Sequence, residues 1–127
     1  MSYLIVDDDE IDIMITERMI QNVNPNVKPV IAKNGKEAIS FLEEYQMEKV
    51  HARPLKFILI DLMMPMMNGF EFLEAYEKAF YQFFPSLPLI VISSSLNEKD
   101  MERVGAFSFV KKHAVKPFNK SMVKAYL

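Results

Sequence analysis

Cysteine is absent from this chain of 127 residues. That excludes disulfides, thiol catalysis and thiolate-bound zinc, and it accords with an intracellular compartment. A dominant charge is missing too: 15 basic residues face 17 acidic ones, a net −2, so no general attraction to nucleic acid is expected. No apolar run approaches membrane-spanning length, and Tyr3–Val6 is too short for a signal-peptide core. His51 and His113 are the only histidines and lack metal-ligand spacing, which argues against zinc. No internal repeat or low-complexity tract interrupts the chain. With half its residues hydrophobic and a quarter charged, it reads as one cytoplasmic globular domain over residues 1–127, with no second module attached.

What is present is an alternation. SYLIV (Ser2–Val6) reads as a buried strand, and Asp7, Asp8, Asp9 and Glu10 follow it at once. Ile11, Met14, Ile15 and Met19 then recur at helical spacing until Asn24-Pro25. Val27–Ala32 is a second strand, exposed on one side. Asn34-Gly35 is a turn, and Ala38, Phe41, Leu42 and Tyr45 mark a second helix. Met47–Pro54 reads as helix end and surface loop. Phe57–Ile60 is the third and most apolar strand, and it runs into Asp61. After Gly69 the positions Phe72, Ala75, Tyr76, Ala79 and Phe80 predict a third helix. Leu87–Ile92 is the fourth strand, ended by Ser93, Ser94 and Ser95. A short helix through Val104 would be capped by Asn97, or by Ser95 with Glu98 at capping-box spacing. The fifth strand lies within 107–115, and a last short helix is expected from Asn119.

Strands alternating with helices predict an α/β fold, a doubly wound five-stranded parallel sheet with helices on both faces. In such sheets functional groups gather at the carboxyl ends of the strands. Four polar signals fall there: Asp7 with Asp8, Asp61, Ser93 and Lys116.

If the first and third strands are neighbours, Asp7, Asp8 and Asp61 share a pocket. Three carboxylates raise one another's pKa unless a cation joins them, and hard oxygen ligands with room for water suit Mg²⁺. A divalent ion there would neutralise an incoming phosphoryl group. Asp61 could then be a nucleophile that forms an aspartyl phosphate. Ser93 offers a hydroxyl and Lys116 a point charge toward phosphoryl oxygens. Simpler roles stand beside these. Asp9 and Glu10 read as helix-start acids, and Asp7 and Asp8 could cap the same helix. Asp61 is a poor helix cap because Pro65 follows four residues later. Ser93 or Lys116 alone would be an ordinary loop hydroxyl and a solvated charge. The Met63–Met67 stretch reads as core filler or an adaptable surface.

The pieces LIVDDDE, NGKEA, ILIDLMMPMMNG, LPLIVISSS and VKPF, in that order, resemble the receiver domain of two-component response regulators, of the stand-alone, single-domain type. The strand order 2-1-3-4-5 of a flavodoxin-like sheet is implied by that resemblance, not by the residues. So is a phosphorylatable signalling switch in which Asp61 accepts phosphoryl from a histidine kinase or histidine phosphotransfer protein. The resemblance further implies Mg²⁺ held by Asp8, Asp61 and the backbone carbonyl of Met63, with Asp7 acting through water. It gives Ser93 the switch hydroxyl position and Lys116 the lysine position, with a cis bond to Pro117. Activity would be limited to self-phosphorylation from a phosphodonor and weak autodephosphorylation. Output would be contact with a downstream protein, from a monomer or weak dimer, on the face of the fourth helix, fifth strand and fifth helix, with Phe107, His113 or Phe118 as candidates.

Choosing Lys116 over Lys111 and Lys112 places the fifth strand near Lys112–Val115. It also puts His113 where the family usually has Tyr or Phe, so His113 is expected to turn inward when Asp61 is phosphorylated. Met63, apolar where relatives often carry a polar residue, predicts slow loss of phosphate. A rival is the haloacid-dehalogenase type of phosphotransferase, with Asp7 as nucleophile and Asp9 as partner acid, but the chain has no Asp or Glu beyond Glu102 for that family's later metal ligands. An EF-hand reading of Asp7–Asp12 fails for want of the loop glycine. A phosphorylation-independent interaction module keeps the same fold and is the other alternative.

Overall fold

A computed structural model describes residues 1–64, 67–94, 97–116 and 118–127. The elements alternate as β1 (Ser2–Val6), α1 (Glu10–Val23), β2 (Lys28–Ala32), α2 (Gly35–Met47), β3 (Leu55–Asp61), α3 (Gly69–Ala79), β4 (Leu89–Ser93), α4 (Glu98–Gly105) and β5 (Val110–Val115). The five strands form one parallel sheet in the order 2-1-3-4-5. β1, β3 and β4 are internal and nearly all apolar, because helices cover both of their faces. β2 and β5 are the edges and carry Lys28, Lys111 and Lys112, charges that discourage further strand pairing.

Strand residues alternate between two cores, as the two-residue period requires. Leu4, Val6, Ile58, Ile60, Leu89 and Val91 point toward α2, α3 and α4, where Leu42, Phe72, Tyr76 and Val104 meet them. Tyr3, Ile5, Phe57, Leu59, Ile90 and Ile92 point the other way, toward Ile13 and Ile20 of α1 and toward Phe118 and Val123.

Three expectations are corrected by the structure. The first helix does not bury Ile11, Met14 and Ile15, which are 64, 45 and 43 % exposed; it buries Ile13, Thr16 and Ile20. The helix has apolar residues all round, and a threonine in the inward stripe masks its period. The fifth strand begins at Val110, two residues before Lys112, because Leu89 and Val110 already pair across the edge. Beyond Asn119 the chain makes two 3₁₀ turns, Lys120–Met122 and Lys124–Tyr126, instead of an α-helix. Asn97 caps α4 through the Asp100 amide, whereas Ser95 lies outside the described residues. A reciprocal capping box is found at Asn68 and Glu71, opening α3.

Candidate functional site

The site is assembled at the carboxyl edge of the sheet from the ends of β1, β3, β4 and β5. β1 is drawn into the sheet as far as Val6, so Asp7 emerges at the strand end with its backbone amide bonded to the Ala32 carbonyl. The chain then turns sharply: the Asp9 amide donates to Asp7 Oδ1 at 2.9 Å, and Asp9 in turn caps α1 by accepting from the Ile11 and Asp12 amides. Asp9 is therefore a structural cap, as its position predicted. Asp7 is buried, and Asp8 beside it is exposed.

Asp61 is the last residue of β3 and is 4 % exposed. Its Oδ1 accepts from the Met63 amide at 3.0 Å, and its Oδ2 accepts from Lys116 Nζ at 2.8 Å. The loop that follows is closed by Gly69, whose amide donates to the Leu62 carbonyl at 2.9 Å. A side chain at position 69 would stand 2.5 Å from Leu62 Cα and 3.0 Å from the Asp61 carbonyl oxygen. Only glycine lets α3 begin this close to the strand end, which explains its place eight residues after the acid. Met63 is 65 % exposed, whereas Met64 is buried in the core and Met67 packs against Gly35. Met66 lies outside the described residues.

Ser93 ends β4, fully buried, and its Oγ has no hydrogen-bond partner among the described residues. Its carbonyl accepts from the Lys116 amide at 2.7 Å, which continues the pairing of β4 with β5 and sets the lysine beside the acids. Among the described residues, Ser93 Oγ and Tyr76 Oη are the buried side-chain polar atoms left unpaired. An orphaned hydroxyl at the rim of a charged pocket is expensive unless a ligand uses it.

Lys116 reaches across the site from the end of β5. Its ammonium donates to Asp7 Oδ2 at 3.2 Å, Asp61 Oδ2 at 2.8 Å and Asp12 Oδ2 at 2.6 Å. Burial pulls its pKa down, but the bonds to Asp12 and Asp61 outweigh burial and hold it above the ordinary lysine value. Burial pushes the Asp7 carboxyl up to about 6; the Asp61 charge adds to this, while the Asp9 amide and Lys116 oppose it. The bond between Lys116 and Pro117 lies outside the described residues.

Carboxylate oxygens of Asp7, Asp8 and Asp61 all lie within 4.8 Å of one another. The donor set is entirely oxygen and of high negative charge, and exposed Asp8 leaves one side open to water. That fits a small hard dication such as Mg²⁺. The structure thus brings together Asp7, Asp8, Asp61, Ser93 and Lys116, five residues singled out by sequence. It does not bring His113 to them: His113 is exposed on the outer edge strand. Asp12 is the participant that sequence reasoning overlooked. Its signal was its position four residues before Thr16, on the buried border of α1.

A family model described as the response regulator receiver domain matches residues 3–126. A two-component response regulator from Legionella pneumophila is 28 % identical, with a TM-score of 0.80 over 98 % of this chain and 93 % of that one. One from Cytophaga hutchinsonii is 26 % identical, with a TM-score of 0.82 over 98 % of this chain and 92 % of its own. The phosphorylated cyanobacterial phytochrome response regulator RcpA is 25 % identical, with a TM-score of 0.76 over 98 % and 86 %. No curated protein matched the sequence.

Proposed function

The chain belongs to the response regulator receiver domain family of two-component signalling, and on that premise we propose that it is a phosphorylatable switch whose acceptor is Asp61. The observation that carries this reading is the placement of Asp61: a buried carboxylate at a strand end, 2.8 Å from a lysine ammonium and within reach of two further acids. The orphaned Ser93 hydroxyl supports it, as a buried donor at the neighbouring strand end able to serve a phosphoryl oxygen. A solved relative is itself a phosphorylated response regulator.

In the proposed reaction an Asp61 oxygen attacks phosphorus of a phosphohistidine on a kinase or phosphotransfer protein. The O–P bond forms as the P–N bond breaks, and the electron pair leaves with the imidazole nitrogen. Lys116 and the Ser93 hydroxyl then donate to the transferred phosphoryl oxygens. Asp7, Asp8, Asp61 and the Met63 carbonyl would hold Mg²⁺, which supplies positive charge to the phosphoryl group. The exposed Met63 side chain offers no hydrogen bond to an attacking water, which favours a long-lived phosphate. His113 would swing inward once the Ser93 hydroxyl is engaged. Among the described residues no helix is long and apolar enough to cross a membrane, and the signal would pass on by contact with a downstream protein.

Incubation with Mg²⁺ and acetyl phosphate, followed by intact-mass measurement and peptide mapping, tests the reading. A phosphoryl adduct that disappears in Asp61→Asn supports it. An adduct on Asp7 would revive phosphotransferase chemistry with a different nucleophile. A lasting absence of any adduct would leave a phosphorylation-independent interaction module.

A further inference from the structure

An ammonium group has three N–H donors, and Lys116 spends all three on carboxylates: Asp12 at 2.6 Å, Asp61 at 2.8 Å and Asp7 at 3.2 Å. These partners are not equivalent. Asp7 and Asp61 belong to the trio whose oxygens lie within 4.8 Å of one another, and Asp12 is not among them. With a cation held by the trio and Asp61 phosphorylated, Asp7 would face the cation and Asp61 would no longer offer a free carboxylate. Asp12 is then the one lysine partner that the chemistry leaves in place.

On that basis, and resting on the reading of Asp61 as acceptor, we propose that Asp12 is a positioning residue that holds Lys116 at the phosphoryl site throughout the reaction. The geometry separates this from a competing trap. Lys116 reaches Asp12 and Asp61 at the same time, so the bond to Asp12 does not draw the ammonium off the acceptor. Asp12 is itself anchored, since it sits in the first turn of α1 with its amide bonded to the Asp9 cap at 3.1 Å. The lysine also borders a cavity of about 30 Å³ lined by Asp12, Ile15, Thr16, Ile92 and Phe118. A residue from the first helix is thereby coupled to one 104 positions later, which fastens α1 to the end of β5.

The test compares wild type with Asp12→Asn and Asp12→Glu at fixed Mg²⁺ and acetyl phosphate, reading the rate of Asp61 phosphorylation by intact mass. The Lys116 Cε resonance, assigned with Lys116→Arg in ¹³C-lysine-labelled protein, reports whether its two Hε protons are inequivalent, as in an immobilised side chain. Asp12→Asn should slow phosphorylation on the order of tenfold, the low end of what losing a group that orients a site residue costs. In the Mg²⁺-loaded protein, where Asp7 would face the cation, it should also merge the Hε signals, and Asp12→Glu should restore both toward wild type. The proposal is overturned by Asp12→Asn reacting at the wild-type rate, or reacting slowly with Lys116 still immobilised. It is equally overturned by a folded Asp12→Glu as impaired as Asp12→Asn. Failure of wild type itself to gain phosphate marks the acceptor reading as wrong, a result distinct from these.

Discussion

Replacing Asp7 by Asn should stabilise the protein at neutral pH when divalent cations are removed. Asp7 is fully buried, and burial together with the Asp61 charge pushes its carboxyl from 3.8 up to about 6. The folded state therefore holds this proton more tightly than the unfolded chain does. Its contribution to stability is complete below about pH 4 and is lost as the pH rises through about 6. A shift from 3.8 to about 6 corresponds to roughly 3 kcal/mol, at about 1.4 kcal/mol for each unit. Asparagine keeps an acceptor for the Asp9 amide but gives up one charged partner of Lys116, which retains Asp12 and Asp61. The net gain above pH 7 should then be about 0–1.5 kcal/mol, since the bond given up, a hydrogen bond to a charged group, is worth about 1.5–3 kcal/mol. Urea unfolding in EDTA at pH 4.5, 6 and 7.5 measures it. The difference between variant and wild type should open between the first two values and level off above them. Added Mg²⁺ should stabilise wild type more than the variant, because in the proposed site the metal would bind the folded state through the acid that was removed. A variant less stable than wild type at pH 7.5 in EDTA, or an unchanged gap across the three pH values, would refute the reasoning.

Other outcomes follow from the same geometry. Tyr76 Oη is buried beside Phe72, Phe80 and Phe109 with no partner among the described residues, so Tyr76→Phe should raise stability by about 1 kcal/mol in urea titrations; a loss of that size would mean the hydroxyl is paired. Gly69→Ala should cost at least about 2 kcal/mol and depress Asp61 phosphorylation, because the new methyl meets the backbone of Leu62 and Asp61. Gly35→Ala should cost less, since its methyl meets the Met67 side chain, whose Cγ and Sδ can turn aside while its Cβ, at 2.9 Å, need shift only slightly. Equal costs at the two glycines would sink the distinction.

The strands were legible because each central strand is a short apolar run cut off by polar residues. Asp61 and Ser93 were legible because a lone acid or hydroxyl ending such a run has no core partner nearby in sequence. The capping of α1 by Asp9 was legible for the same local reason. The inward face of α1 was not. Ile11, Ile13, Met14, Ile15 and Ile20 surround the helix, and only the sheet beneath it selects Ile13, Thr16 and Ile20. The start of β5 at Val110 was hidden because an edge strand, exposed on most positions, carries no hydrophobic period. The 3₁₀ turns after Asn119 replaced an expected helix in a segment too short for intrinsic propensity to decide.

From sequence alone came the parallel α/β class and four strand ends with their acids, hydroxyl and lysine, all set by local pattern and residue chemistry. Tertiary structure alone decided the charge balance between them. Asp12 and Lys116 lie 104 positions apart and meet only because α1 packs beside β4 and the segment that follows β5. Asp7 becomes a reluctant anion only once the sheet removes it from water. Ser93 loses its solvent partners by the same burial. Hydrogen-bond partners and desolvation are properties of neighbours in space, and the order of residues along the chain does not specify which neighbours those are.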